Sequence, residues 1–503
     1  MMVKINKASN IPYYLQLKNQ FKELILSETY KPDTKLPPTR QLAEKLKINR
    51  NTVLTAYEEL EADGLVHSHV GQGTFVSDMS EYLKERERDV QRKFNWTNSF
   101  SAELDESALS SLVQLYRSCI SKAKVSFGGA HPDDILYPIE LVKRCFNSVL
   151  REEGSEILRY GPIEGYYPLR EFMTKWIKNK GIETSPENIF ITSGSQQALE
   201  IASRILIEAG NYVITEEPTY TGALSIFNTL RARIIGVPME KDGLNLDVLE
   251  DALKKYNPKF IYTIPNFQNP TGITMSINKR KRLILLAEKY NVPIIEDDVS
   301  GDLRFEGEDL LALKALDRTD QVIYVSSLSK ELIPGFRVGW AVLNESVRDR
   351  FIALKQVEDL TTNTISQAIL YKFCSRGYLK THLRKVRRIY KERRDTIIKS
   401  IKKYLPKNID LLKPQGGLLV WIRFAPEVDL TPVFEACVKN GVIFSLGSLF
   451  YDSTDGKNEL RLSYAASSPK KIEEGIKILG EIISETIGKK ESEAEELEML
   501  PIL

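Results

Sequence analysis

Lys330 lies in the segment YVSSLSKELIPGFRVGW, directly after an apolar run and among small hydroxyl residues. Ser327, Ser329 and Arg337 are spaced to face one phosphate, with Arg337 as a two-pronged clamp. A lysine beside a phosphate site, its pKa lowered, suits Schiff-base chemistry. Taken alone, such a lysine is more often a solvated one at a strand end. A second apolar run, VPIIEDDVSGDLRF, ends in two carboxylates. Asp297 is placed there to pair with a protonated pyridine nitrogen, which keeps the ring an electron sink for a carbanion. Without Lys330 in the chain, an N-cap or loop aspartate would be the favoured reading.

Further residues extend the set. IPNFQNPTG puts Asn269 before a Pro-Thr-Gly turn, where a rigidly held amide is able to hydrogen-bond a phenolic oxygen. EEPTYTGAL supplies Tyr220, a face to stack on a ring, though a lone tyrosine is as often core or surface. In FITSGSQQALEIASRIL a strand gives way to a small-residue turn and a helix, so free N–H groups near Ser195 and Gln196 make an anion site. This is neither a GxGxxG fingerprint nor a P-loop. NELRLSYAAS presents Arg461 at a strand end, suited to clamping a substrate carboxylate. RYGPIEGYYPLREFM supplies Tyr160.

A different chemistry sits near the N-terminus. PYYLQLKNQFKELILS, KLPPTRQLAEKLKI and NRNTVLTAYEEL carry apolar residues at helical spacing. Asn49 is placed to cap the third helix. LVHSHVGQGTFVS reads as two strands joined around Gly71-Gln72-Gly73. Three helices and a hairpin make a winged helix-turn-helix. Residues 1–57 carry ten Lys/Arg against four Asp/Glu, a local net charge of +6. Arg50, Asn51 and Thr52 occupy the start of the third helix, the end that meets base edges in such readers. Arginine and asparagine are the side chains able to make paired bonds to guanine and adenine. Arg40, on the preceding helix, is within reach of phosphate or base.

The elements that must position the first set follow from the rest of the chain. Apolar β-branched runs such as NIFITSG, NYVITEEP, FIYTIPN, VPIIEDD and QVIYVSS alternate with amphipathic helical stretches from about 115 to 488. That alternation predicts an α/β fold with a mainly parallel sheet covered on both faces. The expected organisation is a reader at 1–78, a charged linker at 79–115, the large domain at 116–488, and a mobile acidic tail at 489–503. The 503 residues carry a net charge of +2, so any basic face is local. Four cysteines lie far apart without a CxxC pair, and no metal site is expected. No apolar run reaches the roughly 18 residues of a membrane span, and the start has no apolar signal core, so a cytoplasmic protein is expected.

Residues 11–77 resemble the GntR family of bacterial regulators, with LPPTRQLAEKLKINRNTVLTAYEELEADGLV close to that family's signature. The resemblance implies DNA contacts from Arg40, Arg50, Asn51, Thr52 and the wing at Gly71, Gln72, Gly73 and Thr74. Residues from about 120 to 488 resemble class I/II aminotransferases of pyridoxal-phosphate (PLP) fold type I, a large parallel-sheet core with a small domain. Here the resemblance implies Lys330 as the aldimine lysine, Asp297 at the pyridine nitrogen and Asn269 at the phenolic oxygen. It also implies phosphate held by Ser195, Gln196, Ser327 and Arg337, Tyr220 against the ring, Tyr160 reaching across a dimer, and Arg461 with the Gly129 region at the substrate. One departure stands out. The tyrosine usual two or three residues after the aspartate is replaced by Val299 and Ser300. Losing one donor to a charged oxygen costs about 1.5–3 kcal/mol locally.

The fusion of these halves resembles the MocR/GabR regulators. That resemblance implies a domain-swapped homodimer on operator DNA that senses an amino acid or related amine through external aldimine formation at Lys330. The alternative is a competent aminotransferase carrying a DNA reader.

Overall fold

The structure, a computed structural model, describes residues 3–78 except 8, 10 and 70, and residues 123–498, with side chains to 486. The expected linker at 79–115 lies outside the described residues. The chain divides into two units, residues 1–101 and 102–503.

In the first unit, α1 (Tyr13–Leu26), α2 (Thr39–Leu46) and α3 (Arg50–Ala62) bury Leu17, Phe21, Leu42, Val53, Ala56 and Leu60 around one small core. Asn49 caps α3 as its sequence position predicts, accepting the Asn51 N–H at 2.9 Å. β1 (Val66–His69) and β2 (Gly73–Val76) form the antiparallel wing, with Val66 opposite Val76 and His69 opposite Gly73. The acids at the far end of α3 have specific partners. Glu59 and Asp63 take Lys18 of α1, at 2.8 and 3.2 Å. Glu61 accepts the Ser68 N–H and hydroxyl, which ties the wing to α3.

The second unit is built on an eight-stranded sheet. Its strands are β4 (Ile189–Thr192), β5 (Tyr212–Glu217), β6 (Arg233–Glu240), β7 (Gly243–Leu244), β8 (Ile261–Thr263), β9 (Ile294–Asp297), β10 (Val322–Ser327) and β11 (Gly339–Val342). They lie in the order β4-β11-β10-β9-β8-β5-β6-β7. β10, β9, β8, β5 and β6 run parallel. β11 runs against both its neighbours and β7 folds back on β6, so the sheet is mixed at its edges. Every residue of β4, β9, β10 and β11 is buried, as expected of strands covered by helices on both faces.

A smaller antiparallel sheet joins β13 (Leu419–Arg423) to β16 (Glu459–Ser463), flanked by β12 (Asp410–Leu411) and β15 (Ser445–Leu446). It packs on helices Tyr378–Tyr404, Thr431–Lys439 and Pro469–Glu498 through Tyr390, Ile397, Val433, Ile472 and Ile476. β3 (Val125–Ser126) pairs with β14 (Val442–Ile443) and brings residues 127–130 across to the large sheet. The last helix continues to Glu498, through most of the segment expected as a mobile tail. Among the described residues no helix is long and apolar enough to cross a membrane. No cluster of three or more metal-ligand side chains occurs among them.

Candidate functional site

The carboxyl ends of β9 and β10 and the turn after β4 open into one cavity of about 840 Å³, measured with its mouth. This is where parallel α/β sheets hold ligands, because the loops there diverge. Lys330, Asp297, Asn269, Tyr220, Ser195, Gln196 and Arg337 all line it. Elements distant in the chain thus bring seven of the residues singled out in the sequence to one wall.

Lys330 Nζ donates to the Ala130 carbonyl at 2.8 Å. Burial, with Arg461 beside it, lowers its pKa to about 8. Asp297 is 5% exposed. Its Oδ2 accepts the Tyr262 hydroxyl at 2.8 Å, whereas its buried Oδ1 makes no hydrogen bond. Burial raises Asp297 to about 6, against the pull of Tyr262 and Lys330. A buried carboxylate oxygen without a donor is expensive. A protonated ring nitrogen would supply the missing donor.

The anion cradle lies at the start of helix Ser195–Leu206. Gly194 has φ of +83°, and a Cβ there would stand 2.5 Å from Arg337 Nη2. Gly339 passes so close that a Cβ would meet the Ser195 nitrogen at 2.5 Å. Two glycines therefore leave the helix N–H groups and Arg337 open to one ligand. Arg337 itself donates to the Ser193 carbonyl at 3.1 Å. Ser327 is buried at the end of β10 and accepts the Ser329 N–H at 3.0 Å. The structure brings Ser329, rather than Ser327, to the cavity wall. Tyr220 donates to Gln196 at 3.1 Å, and Gln196 donates to the Gly222 carbonyl, which fixes the tyrosine over the cavity.

Arg461 lies in the middle of β16, opposite Trp421 and Ser445, and not at a strand end as the sequence reading had it. Its guanidinium donates to Asn269 Oδ1 at 3.0 Å and to the Gly128 carbonyl, beside Gly129. It stacks on Phe450 at 4.8 Å. Tyr160 is 86% exposed and does not line the cavity of its own chain. Val299 and Ser300 do line it.

Three groups escaped the sequence reading. Tyr262 orients Asp297 from β8. Glu216, buried on β5, accepts the Thr263 hydroxyl, the Ile264 N–H and Gln268, and so pins the loop that carries Asn269. Asp298 points away from the cavity to Lys180, Tyr324 and Asn266. The polar residues Glu216 and Asp298 within apolar strand runs were the visible signal for two of them.

In the reader, Arg40, Arg50, Asn51, Gly71, Gln72 and Gly73 are exposed, and Thr52 and Thr74 are half-buried. Arg40 has only a 3.8 Å approach to Glu44. Thr74 Oγ1 is 3.1 Å from the Ser68 hydroxyl.

Residues 133–479 match the family model of aminotransferase class I and II, and residues 13–76 that of bacterial regulatory proteins of the gntR family. The chain is 37% identical to aromatic-amino-acid aminotransferase 1 of Thermococcus litoralis, over 73% of this chain and 89% of that one. It is 33% identical to the uncharacterized HTH-type transcriptional regulator YisV of Bacillus subtilis, over 95% and 97% of the two chains. To the probable rhizopine catabolism regulatory protein MocR of Rhizobium meliloti it is 29% identical, over 95% of each. Among solved structures, LysN, an α-aminoadipate aminotransferase of Thermus thermophilus, superimposes with a TM-score of 0.73 at 33% identity, covering 78% of this chain and all of that one. LysN was crystallised with N-(5'-phosphopyridoxyl)-L-leucine.

Proposed function

From the premise that the chain belongs to the aminotransferase class I and II family and carries a GntR-family winged helix, we propose that it is a PLP-dependent transcriptional regulator whose DNA binding is set by an amino acid or related amine. The observation that carries this reading is the pairing of an exposed reader with a cavity that holds Lys330, the undonated Asp297 Oδ1 and the glycine-lined cradle. PLP, when bound, would supply an electron-withdrawing ring and a carbonyl carbon able to link an amine, with Lys330 as the residue that would hold it.

The chain's own residues do the rest. Asp297 keeps a proton on the ring nitrogen, held in place by Tyr262. Asn269 donates to the phenolic oxygen. Arg337, Ser329 and the N–H groups at Ser195 and Gln196 hold the phosphate. Arg461 takes the ligand's carboxylate, a charge-assisted paired contact stronger than its bond to a neutral carbonyl. That exchange releases Gly128. Lys330 and Arg461 together grip the carbonyls of Ala130 and Gly128. The 128–130 segment follows β3 (Val125–Ser126), and residues 79–122 lead in sequence from the reader to that strand. A ligand carboxylate that recruits Arg461 thereby loosens the 128–130 segment, and the spacing of paired recognition helices responds.

A homodimer fits two observations. Tyr160 is almost fully exposed, and Ile135, Ile139 and Leu158 near it in sequence are exposed apolar residues. A partner subunit covers such groups and delivers Tyr160 to the neighbouring cavity, with the readers exchanged between chains. Cytoplasmic location follows from the operator as partner.

A working aminotransferase with a DNA reader is the second reading, favoured by the presence of Lys330, Asp297, Asn269 and Arg461 together. Val299 and Ser300 weigh against it, since the phenolic oxygen lacks its usual tyrosine. Arg50→Ala should abolish operator binding and leave the PLP absorbance band. Lys330→Ala should abolish that band and leave a folded reader. The opposite pattern of losses overturns the assignment of the two halves.

A further inference from the structure

Helix Tyr378–Tyr404 holds eleven Lys/Arg and two Asp/Glu, in a chain whose total net charge is only +2. Four of those cations have structural partners. Arg387 donates to the Asp302 carbonyl, Arg393 pairs with Asp133, Arg394 with Glu306, and the exposed Lys403 with Glu473. The other seven are exposed. Lys380, Arg384, Arg388 and Lys391 fall at spacings of four, four and three residues, which puts them on one helical stripe. With a rise of 1.5 Å per residue the stripe is about 16 Å long. Lys385 flanks it.

The stripe stands out as a row of neighbouring cations on one helix with almost no carboxylate among them. Some other exposed lysines of this unit pair with a carboxylate on the same helix, as Lys143 does with Glu140, Lys175 with Glu171 and Lys254 with Asp251, and others, such as Lys281 and Lys439, stand singly. Among the described residues Lys380, Arg384, Lys385 and Arg388 have no carboxylate within 4 Å, and Lys391 reaches Glu306 only at 3.7 Å. Like charges four residues apart destabilise a helix. The helix tolerates them because Leu379, Leu383, Val386, Tyr390 and Ile397 anchor its other side in the core. The exposed side carries no large exposed apolar residue. Membrane-surface helices need such residues, so a lipid surface is a poor fit. A linear row of unpaired cations on a rigid support matches a row of phosphates. Duplex DNA presents one charge per roughly 1.7 Å of its axis.

We propose that this stripe is a second, sequence-independent DNA contact, on the aminotransferase-family unit itself, that grips backbone phosphates of a duplex longer than the reader's own site. The proposal rests on the chain's being a DNA-binding protein and extends that reading to a surface outside the winged helix.

The test uses the full-length, PLP-loaded protein and a labelled 60-base-pair duplex of mixed sequence, with affinity followed by fluorescence anisotropy across a KCl series. The variant carries Lys380→Gln, Arg384→Gln, Lys385→Gln and Arg388→Gln. A control removes the same charge from scattered exposed sites, Lys178→Gln, Lys254→Gln, Lys281→Gln and Lys439→Gln. An unchanged PLP band reports intact folding in both. Each phosphate contact contributes about 0.9 to the slope of log affinity against log salt. The stripe variant should lose about 3 to 4 from that slope, and the control less than about 1. An unchanged slope in the stripe variant, or an equal loss in the control, overturns the proposal. Failure of the unaltered protein to bind the duplex at low salt overturns it too, and separately identifies the DNA-binding reading as the fault.

Discussion

Removal of Lys180 should be among the most destabilising single changes in the large unit. Its ammonium contacts Asp298 Oδ2 at 2.7 Å and Asp302 at 3.5 Å. Asp298 has no exposed side-chain surface. Tyr324 and Asn266 donate to it as well, each at 2.8 Å. Lys180→Met leaves that carboxylate buried with two neutral donors. Deleting one member of a buried pair costs about 3–5 kcal/mol. Lys180 keeps some exposure and is shared with Asp302, which places the expected loss near the lower end, about 3 kcal/mol.

The benchmark is Lys175→Met, which removes an equally short but exposed pair with Glu171. That loss should be small beside the one at Lys180, because solvent screens the exposed pair. Urea unfolding of the full chain, followed by tryptophan fluorescence, measures both. The pH dependence has a definite sign. Burial opposes ionisation of Asp298, but Lys180 and the hydrogen bonds outweigh it and hold the carboxyl below its ordinary value. The pair's stabilisation is therefore complete above the unfolded-state value of about 3.9 and lost as pH falls through the folded value. Without Lys180, burial raises the Asp298 carboxyl, so the variant should recover part of its deficit as pH falls from 7 toward 5. Lys180→Met with Asp298→Asn should restore most of the stability. A Lys180→Met loss no larger than that of Lys175→Met, or a deficit independent of pH, would falsify this account of the network.

Three further outcomes follow from the geometry. Lys330 is lowered to about 8 by burial and Arg461, so the apo protein should capture PLP at a rate that rises with pH to a midpoint near 8; a midpoint near an ordinary lysine's 10.5 contradicts the site as described. Gly194→Ala places a methyl group against Arg337 at a positive φ, so inorganic phosphate should cease to compete with PLP loading, and the strain should cost about 1–3 kcal/mol by chemical unfolding. Asn49→Ala removes the cap of α3, and thermal unfolding of the reader should show a loss of about 1 kcal/mol with weaker DNA binding, while the PLP band stays unchanged.

Much of the site was readable because its residues sit at the ends of apolar strands, where the run of small and polar residues breaks the pattern. Lys330, Asp297 and the turn at Ser195 are such cases. What escaped depends on pairs far apart in the chain. Tyr262 stands 35 residues from Asp297, and no local pattern marks it. Arg461 was visible as an arginine in an apolar strand, but its place in mid-strand depends on the register with β13 and β15. Asp298 looked redundant beside Asp297, because strand alternation sends the two carboxylates to opposite faces and only the fold shows Lys180 on the far side. Ser327 and Ser329 were equivalent in sequence. The end of β10 buries the first and turns the second into the cavity.

On the proposed reading, ligand at the cavity and DNA at the reader are coupled through Arg461 and the 128–130 segment. The most direct test of that coupling is one titration with two readings. PLP-loaded protein, bound to a labelled duplex that it has selected from a random-sequence pool, is titrated with amino acids while visible absorbance and DNA anisotropy are recorded together. For one amino acid both signals should change over the same concentration range, and Arg461→Ala should remove the pair of changes at that concentration. A change in absorbance with DNA affinity unaltered, reversed on adding a keto acid, contradicts the coupling and leaves an aminotransferase that happens to bind DNA.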